Sequence, residues 1–378
     1  MKRRICIYLL VGICIWFFFL VAPVAARIKL VALPERGSTS IRLDNPLATL
    51  IEEERVLTLQ KGLNLVDFSW KGVSIDVDSI RLTLLTHAED VTLLSVSYPP
   101  EEPALVWGIY SEQPLEVQVR ISYLLSQIDR LITYKGIAGT TETWMDLKMF
   151  LILRNFSGED FEKAAIILDE DQSYEKSIQH GETRQLLVLD KKRIPIEKVW
   201  TFDARTLPWD PEQLDTNVGI PVSYRVENRP LAGLGESSLM AGKVRIFQED
   251  GHGSTIFLGE DTTDVVPVGD KLEIYIGDSR DIVVTQRKMQ EKKINIRRNK
   301  KNQIVLYDTD ELIKATIENF KAKPATLTMI QHIPGQWEMV ECNMAYTRKD
   351  AHTLNFEMVL PPHEKREVTM HYCRRNLR

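Results

Sequence analysis

His252 is the residue that most invites a chemical reading. It stands in Gly251-His252-Gly253, directly after Glu249 and Asp250. An imidazole beside two carboxylates has the parts of a metal ligand set or of a general base. A metal site needs further ligands at short spacing, and no H-x-H, H-E-x-x-H or H-x-x-x-H arrangement occurs. The expectation for His252 is a solvated turn residue, with no zinc site. Asp169-Glu170-Asp171 and Asp308-Thr309-Asp310-Glu311 offer oxygen ligands for calcium. Neither has the alternating ligands and placed glycine of an EF-hand loop, so both read as acidic turns. Gly233-Leu234-Gly235-Glu236-Ser237-Ser238 has the glycines of a phosphate cradle. It lacks the following lysine and opens no clear helix. No serine sits in a G-x-S-x-G elbow. The sequence therefore assigns no catalytic residue, no cofactor-binding residue and no metal ligand.

A partner surface is better marked. Arg287, Lys288, Lys292, Lys293, Arg297, Arg298, Lys300 and Lys301 crowd one short segment. Such a cluster can dock an anionic polysaccharide, lipid headgroups or an acidic protein patch. The competing reading is an edge strand whose charges block strand-to-strand aggregation.

The whole chain is nevertheless acidic, with a formal net charge of −5 over 378 residues. General nucleic-acid binding needs clustered positive charge over a whole domain and is not expected. The length implies two or three domains, and the 44% hydrophobic and 27% charged fractions are those of a globular protein.

Lys2-Arg3-Arg4 followed by an uncharged apolar run from Ile5 to Ala22 reads as the start of a secretory signal. Val24 and Ala26 fit a signal-peptidase site, which places cleavage after Ala26. The alternative is a retained membrane anchor, because the run is long for a signal core. Either way the protein is expected to be exported, periplasmic or extracellular, or tethered by that segment. Cys342 and Cys373 then remain in an oxidising compartment. A bridge between them would close a loop of about 30 residues and stabilise by roughly 3–4 kcal/mol. Parity argues for two free thiols instead, because Cys373 follows the Val368-Met370-Tyr372 face and points the other way. Asn155-Phe156-Ser157 is a formal glycosylation sequon.

The elements that must carry these groups are strands. Val244 and Ile246 alternate with Lys243 and Arg245, Ile256 and Leu258 with Thr255 and Phe257, and Leu272, Ile274 and Ile276 with Lys271, Glu273 and Tyr275. Glu249–Gly253, Pro267–Asp270 and Gly277–Ser279 supply the turns. This is the pattern of an antiparallel sheet packed on one face. Upstream, Arg55–Gln60 and Leu63–Trp70 flank Lys61-Gly62 and predict a tight hairpin. Phe161–Leu168 is ambiguous, since Ala164-Ala165 favour helix and Ile166-Ile167-Leu168 a buried strand. The predicted fold is mainly β: antiparallel β-sandwich domains in tandem, the last immunoglobulin-like, with little helix. The expected division is a signal peptide at 1–26, an N-terminal β domain at 27–116, a central β-rich domain at 117–287 and a C-terminal β-sandwich at 288–378.

Several blocks resemble the mucoidy inhibitor A-like family of bacterial envelope proteins. Leu153-Arg154-Asn155-Phe156-Ser157-Gly158-Glu159-Asp160-Phe161, followed by Ala164 to Leu168, is similar to one family block. Gly233-Leu234-Gly235 with Leu239–Ile246 is similar to a second, and Phe257–Glu260 and Leu272–Gly277 to the next two. Ile317–Phe320 through Trp337-Glu338 resembles the family's terminal sandwich, and Leu57–Leu82 its N-terminal domain. The family's central coiled coil has no counterpart, because the region from Leu115 to Tyr134 leaves no space for one. The family's tryptophan in the strand that opens its second half is replaced near Arg130–Tyr134. The resemblance implies an exported envelope protein with a domain of unknown function and brings no catalytic residues.

Two functions fit these features. The first is a non-catalytic β-scaffold of the envelope that binds a protein or polysaccharide component. The second is a hydrolase acting on a glycan or peptide, with carboxylates brought together by the fold.

Overall fold

The computed structural model describes residues 30–31, 33–45, 47–168, 173–210 and 219–378. The expected signal segment and the Asp169–Asp171 run lie outside them. The chain is mainly β and contains no α-helix among the described residues. No helix among them is long and apolar enough to cross a membrane. The described residues form two compact units, the first from those up to 129 and between 154 and 183, the second from those between 130 and 153 and between 184 and 378.

Unit 1 is built from two sheets. One orders β1 (Leu30–Val31), β4 (Gly62–Ser69), β7 (Ala104–Ser111) and β6 (Val91–Ser97) as β1-β4-β7-β6. The other combines β12 (Ser173–Ile178), β11 (Phe161–Ile167), β2 (Ser38–Arg42), β3 (Thr49–Leu59), β8 (Leu115–Leu125) and β5 (Arg81–Leu84), as β12-β11-β2-β3-β8-β5. Phe68 of the first sheet meets Tyr123 of the second with ring centroids 5.8 Å apart, so the two inner faces share a core.

The ambiguous segment is strand β11, paired antiparallel with β12 and parallel with β2. Sheet pairing on both edges outweighs the helix preference of two alanines. The predicted hairpin at Lys61-Gly62 does not form: β3 and β4 lie in different sheets. The chain turns a corner there instead, with Gly62 at φ +96°. The Asn64 side chain closes that corner, accepting from Gln60 N at 2.9 Å and donating to Gln60 O at 2.8 Å.

Unit 2 holds three sheets. The first runs β13 (Thr183–Pro195), β10 (Trp144–Asn155), β9 (Ile128–Ala138), β16 (Gly242–Glu249) and β17 (Thr255–Thr263), in the order β13-β10-β9-β16-β17. The second runs β18 (Lys271–Ser279), β15 (Ile220–Glu227), β14 (Glu197–Asp203), β21 (Ala325–His332), β24 (Thr353–Leu360) and β23 (Thr347–Arg348), as β18-β15-β14-β21-β24-β23. The third is β19 (Ile282–Arg298), β20 (Ile304–Asn319), β25 (Lys365–Leu377) and β22 (Gln336–Cys342), as β19-β20-β25-β22. The second and third sheets enclose one core, with Phe202, Leu327 and Phe356 facing Val284, Ile313, Ile317 and Met370.

The linear division of the chain is replaced by an interleaved one. The segment expected as one central domain at 117–287 contributes strands to both units. The last sandwich begins with β14 and not at residue 288, because half of its core comes from β14, β15, β21 and β24. The three alternating strands between Leu239 and Val284 form as predicted, but not as one meander. β16 and β17 form an antiparallel hairpin, whereas β18 pairs with β15 in another sheet. β16 and β18 bury Val244, Ile246, Leu272 and Ile274. Edge strand β17 leaves Ile256 exposed. Parallel pairs, β16 with β9 and β14 with β21, make these sheets mixed.

Four buried asparagines fasten loops to these sheets. Asn319, which ends β20, donates to the carbonyls of Lys323, Leu360 and Pro361 and accepts from Lys321 N at 3.0 Å. Asn228 and Asn155 hold the loops after β15 and β10 in the same way. Asn319→Ala strands several buried backbone groups and is expected to cost about 2–4 kcal/mol. Equilibrium denaturation of the variant checks this.

Candidate functional site

Unit 1 contains a cleft of about 390 Å³ lined by Arg36, Arg55, Phe68, Trp70, Tyr123 and Glu159. Its chemistry begins in β3. The inward parity of that strand is Thr49, Ile51, Glu53, Arg55, Leu57 and Leu59, so two charged residues occupy core positions. Glu53 is 0% exposed. Arg55 grips both of its oxygens, at 3.0 and 3.1 Å, and also donates to Pro34 O. Arg36 adds a 2.5 Å contact to Glu53 and a second, at 2.5 Å, to Glu159. Burial works to lower the Arg36 pKa, but Glu53 and Glu159 outweigh it and hold the guanidinium charged. Burial, then the Glu53 charge, pushes the Tyr123 hydroxyl well above its usual range. That hydroxyl has no hydrogen-bond partner among the described residues. Glu53 accepts from two guanidiniums, so it has no free lone pair with which to act as a base. The network is an internal strut.

Unit 2 carries a shallower cleft with Asp203, His332, Asp350, His352 and Thr353. His332 Nε2 lies 2.9 Å from Asp203 Oδ1, and its Nδ1 lies 3.4 Å from Thr353 Oγ1. Carboxylate, imidazole and hydroxyl in line have the outline of a nucleophile triad. Asp350, in the same cleft, accepts from His352 N–H at 2.7 Å, and its pKa is lowered first by that bond and then by the Thr353 hydroxyl. Nothing in the sequence signals this line, because its members lie on three strands that pair only in the folded sheet.

Glu142 binds Lys198 Nζ at 2.7 Å and Tyr224 Oη at 2.6 Å. Burial works to raise its pKa, but these two donors prevail and hold it below the usual 4.5. A depressed carboxylate pKa gives stability that is present above the unfolded value and lost as pH falls through the folded one. Acid titration is expected to destabilise unit 2 as pH falls below the usual 4.5 and through the lowered folded value, and Glu142→Gln to flatten that slope. Thermal melts between neutral and acid pH check both.

His252 sits exposed at the β16–β17 tip. Asp250 Oδ1 accepts from the backbone N–H of His252 at 2.8 Å and of Ser254 at 3.0 Å, so the carboxylate closes the turn. Gly235, at φ +84°, gives its N–H to Asn228 Oδ1 rather than to an open cradle. Asp308, Asp310 and Glu311 are engaged by Asn295 and Asn376, by His371 and Gln290, and by Thr309, Tyr372 and Lys288 respectively. No group of three His, Cys, Asp or Glu suited to a metal ion occurs among the described residues. Cys342 and Cys373 are free thiols. The β22–β25 register sets Cys342 opposite Met370 and Cys373 opposite Glu338. The two cysteines are thus offset by roughly 10 Å along the strands, beyond the span of a disulfide. The Asn155 side chain of the sequon is buried, with Nδ2 donating to Glu159 O at 2.7 Å.

The basic segment lies on the β19–β20 hairpin, with β19 at the sheet edge. Its first members are tied down: Arg287 to Asp210 at 3.1 Å and Lys288 to Glu291 and Glu311 at 2.8 and 3.2 Å. Lys293 lies 4.3 Å from the centre of the Tyr307 ring, and Arg298 donates to Asn302 O. The side chains of Lys292, Arg297, Lys300 and Lys301 make no ion pair or hydrogen bond among the described residues. From Lys292 to Tyr307 the chain carries six cations and no acid.

Fold and site together define a mainly β protein of two units with a cationic hairpin. No protein-family model matches the chain, and no curated protein matches it.

Proposed function

We propose that this protein is an exported, non-catalytic β-scaffold of the bacterial cell envelope that binds another, anionic envelope component. The observation that carries the reading is the charge segregation: an acidic chain concentrates six cations, unbroken by any acid, on one hairpin. The expected signal segment and the resemblance to the mucoidy inhibitor A-like family support the location. Isolated envelope material should retain the purified protein at low ionic strength and release it as salt shortens the Debye length. Turnover of a glycan or peptide without such retention would overturn the reading.

A hydrolase acting on a glycan or peptide is the second reading, favoured by the line of Asp203, His332 and Thr353. It requires a turnover that His332→Ala abolishes without unfolding unit 2. No cofactor enters either reading.

A further inference from the structure

The end of the β19–β20 hairpin has three properties that a solubilising edge does not need together. It projects: Asp308 and Thr309 are buried, whereas every residue from 295 to 305 is exposed. Four residues of β20 beyond the buried pair, 304–307, carry the turn about 13 Å out. It is cationic, with Arg297, Arg298, Lys300 and Lys301 around the turn. It is also greasy: Ile296, Ile304 and Val305 are 43%, 41% and 42% exposed. The turn is held in shape, since Asn299 Oδ1 accepts from Lys301 N at 2.9 Å and Gln303 N at 3.0 Å. Asn299 N also donates to Gln303 O at 2.9 Å.

Charge alone would block edge-to-edge pairing, and charge alone would hold a soluble polyanion. Three aliphatic side chains at the apex serve neither purpose. Cations that reach headgroup phosphates while neighbouring aliphatic groups enter the acyl boundary are the chemistry of a bilayer surface. We propose that the β19–β20 tip is a docking surface for an anionic lipid bilayer. The inference rests on the envelope-binding reading above and names the class of the bound component.

The test compares full-length proteins, so that the apolar N-terminal segment is the same in all of them. The charge variant is Arg297→Gln, Arg298→Gln, Lys300→Gln and Lys301→Gln together. The aliphatic variant is Ile296→Ser, Ile304→Ser and Val305→Ser together. Both change only exposed residues, and unchanged melting curves confirm their folds. Sedimentation with phosphatidylcholine vesicles, with and without phosphatidylglycerol, gives the partition coefficients. On the anionic vesicles the charge variant is expected to lose about a hundredfold or more, since four cations act together. The aliphatic variant should lose at least about tenfold. On pure phosphatidylcholine the charge variant should match the parent.

Equal binding of either variant and the parent to anionic vesicles would overturn the proposal. Soluble alginate serves as the control polyanion. Tip-dependent capture of alginate without tip-dependent vesicle binding would overturn the lipid assignment and leave the envelope-binding reading standing. Indifference to both probes would overturn both.

Discussion

Glu53→Ala is expected to destabilise unit 1 by about 3–5 kcal/mol, the cost of leaving buried charge without its partner. Glu53 is fully buried and joins Arg55 to Arg36, which in turn reaches Glu159. Removing it leaves two guanidiniums facing each other across the Tyr123 side of the cleft. Glu53→Gln keeps the shape but not the charge, and should fall between alanine and the parent. A triple change that makes Glu53, Arg36 and Arg55 all apolar should cost less than Glu53→Ala alone, because no charge is then stranded. Denaturant melts followed by tryptophan fluorescence, with Trp70 and Trp107 reporting on unit 1, give the comparison. A loss below about 1 kcal/mol for Glu53→Ala would show that the network is not a strut.

Phe356→Ala is expected to cost unit 2 about 3–5 kcal/mol. Phe356 is fully buried on β24, inside the core shared by the second and third sheets, with the Tyr346 ring 5.8 Å away. The penalty combines lost transfer energy with the cavity that a close-packed sandwich cannot collapse. Phe356→Leu, which keeps most of the volume, should cost about 1.5 kcal/mol or less. Similar losses for the two variants would mean that the site relaxes freely.

The period-2 alternation made the strands legible, because one face of each is buried: Val244 and Ile246, Leu272 and Ile274, Ile313 and Ile317 all lie inside. Alternation says nothing about which strand lies beside which. For that reason Lys61-Gly62 looked like a hairpin and proved to be a corner between sheets, and β18 left its neighbours to pair with β15. The same gap hid the interleaving of the two units, which depends on partners distant in sequence.

The cationic hairpin could be read directly, since its charges are contiguous along the chain. The Glu53 strut left a fainter mark, a glutamate and an arginine at inward parity between Ile51 and Leu57. The loop-fastening asparagines were partly visible as Asn-Phe pairs at Asn155 and Asn319, but their carbonyl partners, up to about 40 residues away, were not.

If the β19–β20 hairpin is a binding surface, its cations must hold the protein on its target. The most direct measurement is retention of the full-length protein by isolated envelope material across a salt series, beside the four-site glutamine variant at Arg297, Arg298, Lys300 and Lys301. The parent should be retained at low salt and released as salt rises, and the variant should be poorly retained at every salt concentration. Retention of both proteins to the same extent and with the same salt dependence would contradict a binding role for the hairpin.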